Sequence, residues 1–130
     1  MNTIDYRSID ENGLSFELLI DGWPFGELIG VPNASIPVWL FENDLPSYSS
    51  FDSPGQDDET RIIAVCGCGE YGCGRSLCRV VRAGDDVVFC DFEGDLGSEE
   101  SLKEFRFSSV NYDSVISKIV NEANGYKGRT

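Results

Sequence analysis

The sequence predicts an α+β fold: a twisted antiparallel sheet of about four to six strands with a C-terminal helix packed on one face, in a single domain spanning 1–130. Three observations predict it. Residues 61–92 hold β-rich runs separated by tight-turn residues. Residues 115–123 repeat apolar side chains at helical spacing. A composition of 41% hydrophobic and 12% aromatic residues is enough to build a core.

The elements follow in order. Residues 14–20, LSFELLI, suit a strand interrupted by Glu17. Asp21-Gly22 is a turn, and WPFGELIG after it reads as a hairpin or as a strand leading into a short turn of helix. Trp23 and Phe25 are expected to fold back onto the core, the alternative being an exposed anchor for a partner. Residues 30–60 carry Pro32, Pro37, Pro46 and Pro54 and read as a long irregular segment pinned by Trp39 and Phe41. RIIAVCG (61–67), SLCRVVR (76–82) and DVVFCDF (86–92) form an antiparallel meander that turns at 83–86. Along its middle strand Leu77, Arg79 and Val81 share one face, and Cys78, Val80 and Arg82 the other. Residues 93–101 are an acidic loop and 104–107 a short strand. Val115, Ile116, Ile119, Val120 and Ala123 mark the helix, with Ser109 or Asn111 to cap it and Asn124-Gly125 to end it. Lys118 and Lys127 lie toward its carboxyl end, as the helix dipole prefers. This helix is expected to cover Ile62, Ala64, Val80 and Val88.

Charge is the feature that bears on function. The chain has 23 carboxylates against 10 bases, no histidine and a formal charge of −13. Ser8 through Thr60 contains eleven carboxylates and no lysine or arginine, and Ala83 to Leu102 contains seven and again no base. Such a field repels nucleic acid and anionic membrane and speeds encounter with a basic protein. The expected contacts are Asp57, Asp58 and Glu59 in one loop and Asp91, Glu93, Asp95, Glu99 and Glu100 in the other. Nothing in the spacing places Arg75, Arg79 or Arg82 against them. Adjacent acids such as Asp85-Asp86 otherwise read as solvated turn residues.

No catalytic apparatus is legible, and the chain is read as a binding protein. Without histidine the usual triads are absent, and no phosphate-binding glycine loop occurs. No apolar run approaches the roughly 20 residues of a membrane span, and the N-terminus lacks signal-peptide character, so a cytoplasmic location is expected.

Four of the five cysteines fall within 66–78, CGCGEYGCGRSLC. An odd count without a signal peptide predicts reduced thiols. One reading gives zinc to Cys66, Cys68, Cys73 and Cys78, although the spacing is not that of paired C-x-x-C sites. The bland reading makes them small hydrophobes beside turn glycines, with no metal or cofactor. A thiol nucleophile activated by Arg75 or Arg79 is a third.

The pattern Cys66, Cys68, Gly69, Gly72, Cys73, Gly74, followed by Val87, Val88, Phe89, Asp91 and Phe92, resembles a family of small bacterial proteins with a C-x-C-G-x-x-G-C-G motif. Asp21-Gly22-Trp23-Pro24-Phe25 upstream and Phe105-Arg106-Phe107 downstream extend the resemblance over most of 14–123. It implies kinship and supplies no catalytic residue. In size, acidity and α+β character the chain is also similar to immunity proteins of polymorphic toxin and contact-dependent growth-inhibition systems. That resemblance implies an inhibitor that occludes a basic toxin, such as a nuclease. The alternative is a small zinc-binding or structural module.

Overall fold

A computed structural model describes residues 1–10, 13–38, 59–66 and 74–128. It is α+β: two four-stranded antiparallel sheets and a C-terminal helix. In the first sheet β1 (Ile4–Asp10) pairs along its whole length with β2 (Leu14–Ile20). β3 (Trp23–Pro24) and β4 (Ile36–Pro37) share the other edge of β2. In the second, β5 (Glu59–Val65), β6 (Arg75–Ala83), β7 (Asp86–Gly94) and β8 (Phe105–Ser108) follow in sequence order.

Among the described residues, backbone hydrogen bonds join the two sheets' segments at two places. Ser35 and Val65 exchange backbone hydrogen bonds of 3.2 and 2.8 Å. At the other end the Asn2 amide donates to Arg106 O at 2.8 Å, and the Arg106 amide donates to Asn2 Oδ1 at 2.9 Å. One hydrophobic cluster draws on both sheets and the helix.

Turn chemistry sets the hairpins. Asp21 and Gly22 both have positive φ (54° and 84°) between the paired Ile20 and Trp23, which is a type I′ connection. The Asp21 carboxylate accepts from Asn2 Nδ2 at 2.7 Å and from the Thr3 amide at 2.8 Å, and these bonds hold it below its ordinary pKa. Between Ala83 and Asp86 only Gly84 has positive φ (64°), as a II′ turn requires of its first central residue. The chain after Pro24 does enter a short helix, α1 (Phe25–Leu28).

In β2, Leu14, Phe16, Leu18 and Ile20 alternate into the core. Glu17 lies on the opposite face, yet is also buried, and pairs with Arg7 directly across from it on β1 at 2.5 Å. β1 has no counterpart in the sequence reading. Its edge is closed by a side chain: Asn111 accepts from the Ile4 amide at 2.8 Å and donates to Ile4 O at 2.9 Å. Asn111 is therefore a strand surrogate and not the helix cap. Ser108 caps instead, its Oγ accepting from the Asn111 amide at 3.1 Å.

The helix α2 (Ser109–Gly128) runs through Asn124-Gly125 and does not stop there. It packs on β1, β2, β7 and β8. Tyr112 meets Phe89 edge-on at 5.9 Å, and Asp113 pairs with Arg82 at 2.6 Å. The covered face therefore carries Cys78, Val80 and Arg82 of β6, with Phe89 opposite Val80. Val88 pairs with Val81 and Ile62 with Leu77, so these lie on the reverse face and not under the helix as expected. The cause of the difference at β5 is a bulge between Ile62 and Ala64, which shifts the alternation by one residue. No helix among the described residues is long and apolar enough to cross a membrane.

Tyr6 joins β1 to α2. Burial, reinforced by a hydrogen bond from Tyr6 to Glu122, pushes its hydroxyl up to about 12 from an ordinary 10.0. The folded chain thus holds this proton more tightly than the unfolded chain. The stability it contributes is complete below pH 10 and is lost as pH rises from about 10 towards 12. Tyr6→Phe should flatten that part of the alkaline unfolding curve, and an unchanged curve would remove the role given to Glu122.

Candidate functional site

β7 carries an irregularity near its end, just before the acidic loop. Asp91 has φ 51°, and Asp91 and Phe92 together stand against Cys78 of β6. This extra residue turns Asp91 outward, 71% exposed, and Phe92 onto the core, where it stacks on Phe25 at 6.2 Å and meets Phe105 at 5.6 Å. Beyond it Glu93, Asp95 and Glu100 are exposed.

Glu99 is not. It is 0% exposed and its carboxylate accepts from Ser76 Oγ at 2.7 Å, the Leu96 amide at 3.0 Å and the Gly97 amide at 2.9 Å. This corrects its assignment as a contact residue: Glu99 ties the loop to β6, and its carboxylate faces inward. Gly94 (φ 143°) makes room for it, since a Cβ there would stand 2.6 Å from Glu99 Oε2 and closer still to Arg75 O. The far side of the loop rests on the chain after α1, with the Ser98 amide donating to Ile29 O at 3.0 Å.

Glu93, Asp95, Gly94, Arg75 and Leu77 line an open groove of ≈ 290 Å³. The Asp95 carboxylate also accepts from the Arg75 amide at 3.0 Å. The arginines are thus nearer the acids than the spacing suggested. Arg79 stands 3.6 Å from Asp91, and both are exposed, so this pair contributes little. Glu93 and Glu100 lie on the surface. In the other expected contact loop, Asp57 and Asp58 lie outside the described residues. Glu59 opens β5, opposite Val80, and its side chain lies outside them as well.

The cysteine quartet is only partly described, because Cys68 and Cys73 lie outside. The two that are described are far apart. The Cys66 amide donates to Gly74 O at 3.1 Å, whereas Cys78 sits four residues further along β6, opposite Arg61. Four residues of strand separate Cα atoms by about 13 Å. Thiolates sharing one zinc, each about 2.3 Å from it, stand within about 4.6 Å of each other. Cys66 and Cys78 therefore do not belong to one tetrahedral site, and the four-thiolate set is corrected accordingly. Among the described residues no group of three or more potential ligands forms.

Cys78 is fully buried. Burial, with Cys90 on the adjacent strand adding to it and buried Arg61 opposing, pushes its thiol well above the usual value. That is the reverse of an activated nucleophile. Cys78 is a free thiol. A thiol reagent should count five groups in denatured, unreduced protein and should leave Cys78 unmodified in the native state. Three or fewer groups would refute the reduced state, and rapid native modification of Cys78 would refute its burial.

The aromatics of the DGWPFG turn divide. Phe25 is 1% exposed, as expected, but Trp23 is 59% exposed, against expectation. Sequence reasoning treated the two alike, and only their positions on the short strand and on α1 separate them. Comparison of the chain with protein-family models, with curated proteins and with solved structures finds no match.

Proposed function

We propose that this chain is a cytoplasmic acidic inhibitor of the immunity-protein kind, which occludes the substrate-binding surface of a basic bacterial toxin such as a nuclease. Its carboxylates stand in for the phosphates that such a toxin binds. The observation that carries the reading is the 91–100 segment, the end of β7 and the loop after it. Glu93, Asp95 and Glu100 are exposed on a segment that the buried Glu99 fastens to β6. A charged surface held in place loses little entropy on binding. Its field raises association from about 10⁵–10⁶ towards about 10⁸–10⁹ M⁻¹s⁻¹ at low salt.

The test is protection from the protein encoded immediately upstream. Co-expression should rescue growth if that neighbour is toxic. Glu93→Gln, Asp95→Asn and Glu100→Gln together should slow association at low salt, with the difference shrinking at physiological salt, where screening acts over about 8 Å. Glu99 is left intact so that the fold is not confounded with the contact. A harmless neighbour that does not bind, or a complex indifferent to these charges, would overturn the proposal.

A further inference from the structure

Trp23 occupies a place where it does little for the fold. β3 is a two-residue edge strand, and Trp23 remains 59% exposed while Phe25, two residues on, fills the core. Only Met1 and Val110 among the described residues are comparably exposed large hydrophobic side chains. Met1 precedes Asn2, whose side-chain amide bonds Asp21, two residues before Trp23. The segment carrying Trp23 is also docked on the acidic loop: Phe25 stacks on Phe92, and Ile29 O receives the Ser98 amide. Residues 21–31 and 91–101, which meet there, contain no lysine or arginine.

We propose that Trp23 is the aromatic anchor of a docking surface for a basic protein, with partner arginines seated against the indole and held by the carboxylates of the adjoining loop. This rests on the inhibitor reading and adds to it a contact residue and a side-chain chemistry. Arginine suits the site better than lysine because its planar guanidinium stacks on an indole face and sheds water more readily. Tryptophan at the centre of an interface is also among the residues whose truncation weakens binding most. Charge complementarity selects the occupant. A second copy of a chain at −13 would meet the same field with the same sign.

Fluorine NMR of protein labelled with 5-fluorotryptophan reads the two tryptophans separately, Trp23→Phe assigning the signals. Oligoarginine should shift the Trp23 resonance, and more than oligolysine of equal length does. Trp23→Ala should leave the thermal midpoint unchanged and weaken the complex with the upstream-encoded toxin at least about tenfold, with Trp23→Phe recovering most of the loss. A Trp23 signal unmoved by oligoarginine, or a toxin complex indifferent to Trp23→Ala, overturns the proposal and leaves the inhibitor reading standing. A Trp23 signal that moves with protein concentration alone, together with a doubled mass in sedimentation, makes the occupant a second copy and also overturns it. If oligoarginine moves Trp23 but the upstream protein neither poisons nor binds, the surface stands and the inhibitor reading falls.

Discussion

Ile119→Asp is expected to abolish the cooperative thermal transition. Ile119 is 0% exposed, with Val115 one turn before it at 5% and Ala123 one turn after it at 0%. These three form the line along which α2 packs on the sheets. Burying an unpaired carboxylate costs several kcal/mol, and the lost isoleucine burial adds about 1.5–3 kcal/mol. Together they approach the whole stability of a small domain, about 5–15 kcal/mol. Ile119→Ala, which costs about 2–5 kcal/mol, should lower the midpoint but keep the transition. Ile116 and Val120 are only partly buried, so Asp at either should cost less than Asp at Ile119. Circular dichroism during heating measures all four variants. A parent-like melt for Ile119→Asp would mean that the helix does not pack along this line.

The contrast among those helix positions shows what sequence can carry. Periodicity located α2 and its apolar stripe, because 3.6-residue spacing is a property of the chain itself. It ranked Ile116 with Ile119, because which of two adjacent apolar residues lies deepest depends on the sheets beneath. The β6–β7 hairpin was legible for a similar reason: alternation and a Gly-Asp turn are local. β1 was not, because Ile4 alone of its side chains is buried and its closure depends on Asn111, 107 residues away. Arg61 was read within an apolar strand run, yet it lies buried on the face shared with Cys78 and opposes the rise of the Tyr112 pKa that burial causes. A bulge at Ile62 to Ala64 shifted which β5 residues face the helix, and no composition rule announces a bulge. In the candidate site the count of carboxylates was legible but their destinations were not. Glu99 and Glu100 are the same residue type, one position apart, and a single 3₁₀ turn (Glu99–Ser101) sends one inward and leaves the other in water.

Glu99→Ala should therefore destabilise the domain by about 2–4 kcal/mol, although an acid is being removed from a chain already at −13. Relief of like-charge repulsion works in the opposite direction. Contributions between exposed charges are small and screened within about 8 Å, whereas a hydrogen bond to a buried charged group is worth about 1.5–3 kcal/mol. Glu99 accepts three such bonds, from Ser76, Leu96 and Gly97. The sum is not reached, because Asp95, Ser98 and Glu100 are exposed and an opened loop can give its amides to water. Glu99→Gln should rescue little. Its side-chain amide group presents donors, and at least one of the three partners would then meet a donor with a donor. Hydrogen exchange at the Leu96 and Gly97 amides locates the effect: both should lose protection in either variant, while the α2 amides change only by the global loss. Glu100→Gln, one residue on and exposed, should leave both protection and midpoint unchanged. If Glu99→Ala melts like the parent with those amides still protected, the buried carboxylate does not hold the loop, and the fixed acidic surface on which the inhibitor reading rests loses its support.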